Sequence, residues 1–135
     1  MTNIKLIIFA TILVLLSGCA SFFPAEYDNN EYYILAKLET DVKLVKEMCA
    51  VSQQAVENEI LGLVRSAELL HTYTFYIPRN TDVYNMATIL KNDIREFEKN
   101  YAEGKGNTLY CKLKTSVFLK KVRITLKAVA QKVRN

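Results

Sequence analysis

The sequence has no tryptophan, a single histidine (His71), two prolines and four glycines in 135 residues. Each scarcity excludes something. Nucleophilic triads and zinc sites ordinarily draw on histidine, and one copy leaves them short of a donor. Glu68-Leu69-Leu70-His71 has Glu-x-x-His spacing, but a di-iron bundle needs two such motifs and further carboxylates, so His71 reads as a helix-end residue. No glycine-rich phosphate loop is present. Glu57 with Glu59, and Glu96 with Glu98, stand two apart, which turns each pair to different sides of a helix and not toward one substrate. The expectation is a protein with no catalysis, no metal and no cofactor. The small share of Gly and Pro also argues against a disordered or low-complexity chain, and the length supports one small domain.

Long hydrophobic runs are scarce too, with one exception. Leu6 to Leu16 is almost unbrokenly apolar and follows Lys5. A span needs about 20 apolar residues, so this run is too short to cross a bilayer but has the dimensions of a signal-peptide core. Leu16-Ser17-Gly18-Cys19 then resembles the lipobox of bacterial lipoproteins. The resemblance implies a leader over 1–18 that is removed, and a Cys19 that becomes the acylated mature N-terminus, carrying diacylglyceryl and palmitate-type chains. Two or more chains give stable anchoring, at about 0.8 kcal/mol per buried methylene. It implies a cell-envelope location, and Ala20 resembles the pattern sent to the outer membrane, facing the periplasm. The competing reading is an uncleaved single-span anchor with Cys19 buried.

An exported chain sits in an oxidising compartment, where the two remaining thiols, Cys49 and Cys111, are expected to pair. They are too far apart in sequence for a Cys-x-x-Cys redox pair, so the bond reads as a structural staple. Export also removes nucleic acid as a partner.

Residues 19–30 read as a lipidated tether, with Pro24 and a polar cluster, and with Phe22, Phe23 and Tyr27 suited to the membrane interface. Residues 31–135 read as the folded domain. Ile34, Leu35, Leu38, Val42, Val45, Met48 and Cys49 recur at three and four, as do Val56, Ile60, Leu63, Val64, Ala67 and Leu70. No Gly or Pro separates these stripes, so a turn at Ala50–Ser52 and one long bent helix are both open. Asp28 and Glu31 have capping-box spacing. Thr72 to Arg79, β-branched and aromatic and interrupted by Pro78, reads as an extended connection whose Tyr73, Phe75 and Tyr76 pack over the bundle, stacking on a ligand being the alternative. Asn80 or Thr81 then caps a helix with the stripe Val83, Met86, Ala87, Leu90, Ile94, Phe97, Tyr101, ended by the Gly104–Gly106 segment. Asn107 or Thr108 starts a last helix that runs to near Arg134. The predicted fold is all-α, a small antiparallel bundle of three to four helices with one disulfide.

Acidic residues are absent after Glu103, while that same stretch holds nine Lys and Arg. On a helix, Lys112, Lys120, Arg123, Lys127 and Arg134 share one arc, with Lys114, Lys121 and Lys132 nearly opposite. Two apolar strips lie between the arcs: Tyr110, Leu113, Val117, Ile124, Ala128, and Phe118, Leu119, Val122, Leu126, Val129, Val133. Only one can face a bundle. The basic arc is therefore a candidate surface with three readings: a solvated face paired with the acidic remainder of the domain, a face docking on an anionic envelope surface, or a contact for another protein or a second copy. Size, lipobox and helical periodicity together also resemble small phage-encoded outer-membrane lipoproteins. Among these are spanin subunits, whose known role would imply a lysis function.

Overall fold

Among the described residues, the apolar stripes become the inner faces of helices, except for one of the two strips on the last helix. The computed structural model describes residues 25–132, and Cys19, the leader, most of the tether and Arg134 lie outside the described residues. Within them run α1 (Asn29–Met48), α2 (Gln53–Tyr76), α3 (Thr81–Ala102) and α4 (Thr108–Ala130). Short connections make successive helices antiparallel. α1 packs against α2 and α4, and α3 packs against the same two, giving a four-helix bundle in up-down-up-down order.

The core is built from the predicted stripes. Leu35, Leu38, Val42, Leu63, Leu70, Leu90, Ile94, Phe97 and Phe118 are all buried. The Phe97 ring meets Phe118 edge-on at 5.6 Å, joining α3 to α4, and packs on Tyr101 of its own helix at 5.0 Å. Ring pairs of this kind add about 0.5–1.5 kcal/mol each beyond area burial. Cys49 and Cys111 are disulfide-bonded with their Cα atoms 5.7 Å apart, so the end of α1 is stapled to the start of α4.

Helix ends follow local chemistry. The Asp28 carboxylate accepts from the Glu31 backbone N–H (2.8 Å), Ser52 Oγ from Ala55 N–H (3.1 Å) and Asn107 Oδ1 from Tyr110 N–H (2.9 Å). Each satisfies one of the donors a helix start leaves open. Gly104, at φ +70°, follows the end of α3, where a left-handed residue is needed. Ser52 and the turn before it break the first two stripes into two helices, excluding the single bent helix.

Five features differ from the sequence reading. First, Thr72–Tyr76 is not extended but forms the last turns of α2, which ends only before Pro78. Tertiary contacts override the β propensity there: Thr74 is buried and Tyr73 Oη donates to Asp28 (3.0 Å), while Phe75 and Tyr76 stand exposed instead of packing over the bundle. Second, His71 is consequently inside α2 and not at its end. Third, the capping box is half formed, because Glu31 turns inward instead of back to its own helix start. Fourth, Asn80 occupies the cap position of α3 but makes no capping bond, its side chain being used elsewhere. Finally, the folded unit begins before residue 31: Ala25 is buried, Tyr27 packs against the core and α1 starts at Asn29.

Candidate interaction surface

α4 resolves the choice between its two apolar strips. Phe118, Leu119, Val122 and Val129 are buried, with Leu126 packed beside them, so this strip faces the bundle. Cys111 lies on the same arc, and its bond to Cys49 fixes that rotation. The other strip is left outward except for Tyr110, which is half-buried and stacks on Phe97 at 5.7 Å. Leu113, Val117 and Ile124 are exposed, and Leu109 extends the row to the helix start.

The cations divide in two. Lys114, Lys121 and Lys132, on one side, meet Glu96 (3.6 Å), Asp93 and Glu31 (2.5 Å) respectively, closing α4 onto α3 and α1. Of the predicted basic arc, Arg123 pairs with Glu39 (2.9 Å), which Lys43 also reaches. These donors hold the Glu39 carboxyl below the usual carboxylate range, Lys43 contributing most and Arg123 next. Lys112, Lys120 and Lys127 are exposed and have no acidic side chain in ion-pair reach among the described residues. Lys46 of α1, which the sequence reading did not single out, joins them. With Leu119, Lys120, Arg123, Ile124 and Lys127 it lines an open groove of about 420 Å³ between α1 and α4. Its signal was its position in the last turn of α1, where an antiparallel neighbour brings it beside the first half of α4.

The result is a face of mixed character. Uncovered aliphatic side chains run next to unpaired ammonium groups, so the surface can bind an anionic partner that also offers apolar contact. The acidic remainder of the domain neutralises one side of α4 and Arg123, and leaves this side uncompensated.

The other motifs are occupied differently. Glu68 and His71, one turn apart on α2, do not converge: Glu68 pairs with Arg95 of α3, and the His71 ring lies over Tyr84 with centroids 5.0 Å apart. Lys91 Nζ stands 3.4 Å from His71 Nε2. Partial burial, and secondarily the Lys91 charge, lower the imidazole pKa below its ordinary 6.5. Among the described residues no His, Cys, Asp or Glu side chains cluster in a group that could hold a metal ion. No helix among them is long and apolar enough to cross a membrane.

A buried polar cluster closes one end of the bundle. Glu31 is fully buried, and its carboxylate accepts from Asn80 Nδ2 (2.5 Å) and Lys132 Nζ (2.5 Å), while Lys132 also donates to Asn80 Oδ1 (2.7 Å). It joins the start of α1, the cap of α3 and the residues just past α4. Nothing in local sequence marked it, since Asn80 and Lys132 lie 49 and 101 positions from Glu31.

Compared with protein-family models, curated proteins and solved structures, the chain matches none.

Proposed function

We propose that the chain is a lipid-anchored protein of the bacterial cell envelope that performs no catalysis and presents its helical bundle as a binding module, α4 being the recognition element. The observation that carries this reading is the uncovered strip Leu109, Leu113, Val117, Ile124 running beside Lys112, Lys120 and Lys127, none of them neutralised within the domain. At 1.5 Å per residue the strip is about 22 Å long, the length over which one helix grips another. The partner it fits is an acidic, amphipathic segment of a second envelope protein. The anchor rests on the lipobox Leu16-Ser17-Gly18-Cys19 and the compartment that the lipobox implies.

Two measurements test the reading. Labelled palmitate should enter the wild-type chain and not Cys19→Ser, which should leave the membrane fraction; an unlabelled wild-type chain with an intact Met1 refutes the anchor. A photo-crosslinking residue at Val117 should give a discrete adduct in cells that Lys120→Glu with Lys127→Glu removes. Equal adducts from Val117 and from Leu61, an exposed position on α2, would refute α4 as the recognition face. Adducts to lipid alone would replace the protein partner by the anionic membrane surface.

A further inference from the structure

The two ends of the bundle differ chemically. Among the described residues, exposed aromatic side chains occur at one end only: Tyr32 (39%) and Tyr33 (70%) near the start of α1, and Phe75 (62%) and Tyr76 (75%) at the close of α2. At the opposite end the prominent apolar side chains are aliphatic, Val51 before α2 and Leu109 at the start of α4. Every other described aromatic ring is buried or half-buried. The four exposed rings belong to two neighbouring helices and lie within about 8 Å of the bundle's end at the helical rise per residue.

The same end is where the described chain begins. Ala25 lines a pocket together with Arg79, Asn80, Ala128 and Lys132, beside the α2–α3 connection and the close of α4. Only residues 20–24 separate it from Cys19. Fully extended, that stretch spans about 20 Å at most, less than the roughly 30 Å length of a 20-residue helix such as α1. A bilayer holding Cys19 is therefore within reach of this end, and tyrosine and phenylalanine are side chains suited to the headgroup boundary. Glu26 and Asp82 share this end with Arg79 and Lys132, so its charge is mixed in sign and it is not a basic patch for anionic lipid.

We infer that Tyr32, Tyr33, Phe75 and Tyr76 form an aromatic collar that seats the bundle end-on in the headgroup layer of the membrane. This rests on the anchor proposed above and goes beyond it. The helices then stand away from the bilayer, α4 faces sideways, and its recognition face is open to a neighbouring protein. Contact through the collar is insensitive to salt, whereas docking through the lysines of α4 is screened by it.

Because the sequence has no tryptophan, single substitutions give single reporters in the full chain. Tyr76→Trp, Tyr33→Trp, Ile124→Trp and Val51→Trp are compared on vesicles of phosphatidylethanolamine and phosphatidylglycerol with brominated acyl chains, each variant first shown to keep its helical circular dichroism. The expected result is blue-shifted emission for the two collar reporters, quenched at least about twofold more than Val51→Trp and unchanged by added salt. Two results overturn the collar: quenching at both collar positions no greater than at Val51→Trp, or strongest quenching at Ile124→Trp, which means the bundle lies on α4. The intact mass of the same samples reports acylation separately. An unacylated chain removes the anchor, and quenching by excess brominated vesicles, still measured against Val51→Trp, then decides the collar by itself.

Discussion

Removing the Lys132 ammonium should be among the most damaging single changes to this domain. Glu31 is fully buried and the Lys132 side chain only 10% exposed, so the pair sits where water cannot substitute for a missing partner. Lys132→Met deletes two charge-assisted or polar bonds, to Glu31 Oε2 and Asn80 Oδ1, and leaves a buried carboxylate supported by Asn80 alone. Bonds to charged groups contribute about 1.5–3 kcal/mol, and breaking a buried pair by removing one partner costs about 3–5 kcal/mol. Against a total stability of about 5–15 kcal/mol this is a large fraction. At about 4–8 °C per kcal/mol for a domain near 100 residues, a loss of 3 kcal/mol lowers Tm by about 12–24 °C. Urea unfolding of the full chain, with an unchanged m-value, gives the figure directly. Glu31→Leu combined with Lys132→Met should cost less than Lys132→Met alone, about 1–3 kcal/mol, because the remaining penalty is the orphaned Asn80 amide. If Lys132→Met shifts the midpoint no further than Lys120→Met, a change at an exposed and unpaired lysine, the clasp contributes nothing and the reasoning is wrong.

Replacing both Cys49 and Cys111 with Ala should remove about 4 kcal/mol, the chain-entropy value for a bond across 62 positions, and an unchanged denaturation midpoint would refute the staple's role. Gly106→Ala should destabilise by about 1–3 kcal/mol in the same assay, because a Cβ there would stand 2.7 Å from the Tyr101 ring, which Phe97 and Tyr110 hold in place; a neutral result would show that the ring yields. His71 has a lowered folded pKa, so the unfolded chain takes up its proton first and stability declines as pH falls through 6.5 toward the lower folded value, while above 6.5 the contribution is complete. His71→Gln should flatten that part of the stability-against-pH curve, and an unaltered curve would dismiss the imidazole as its source.

The helices were legible because their stripes are long and regular, and two of the starts, at Asp28 and Asn107, carry capping side chains the sequence pointed to, whereas the cap at Ser52 was not singled out. What failed to show was set by partners far along the chain. Thr72–Tyr76 carries residues that favour strands, and it is helical because Thr74 is buried and Tyr73 reaches Asp28, 45 positions away. Glu31 has the spacing of a local cap, yet its carboxylate goes to Asn80 and Lys132, which no local pattern connects to it. On α4 the periodicity supported two inward faces equally. Cys111 was the missing discriminator, since it shares an arc with Phe118, Val122 and Val129 and must point at Cys49. The basic arc was readable as an arc, but which of its members remain uncompensated depends on where Glu39 of α1 falls once the helices are packed. The aromatic collar was invisible for a related reason: Tyr32 and Tyr33 are more than 40 positions from Phe75 and Tyr76, and only antiparallel packing places them at one end.

The disulfide divides the molecule mechanically. Both described termini leave the bundle at the same end, and Cys49 and Cys111 join α1 to α4 at the other. A pull between a fixed N-terminus and something gripping the close of α4 would load the Glu31–Lys132 contact first and then peel α1 from α4 in a zipper, one turn at a time. The peeling stops at the sulfur bridge. The hairpin of α2 and α3 lies wholly inside the covalent loop, so the tension bypasses it and that half of the chain is not stretched.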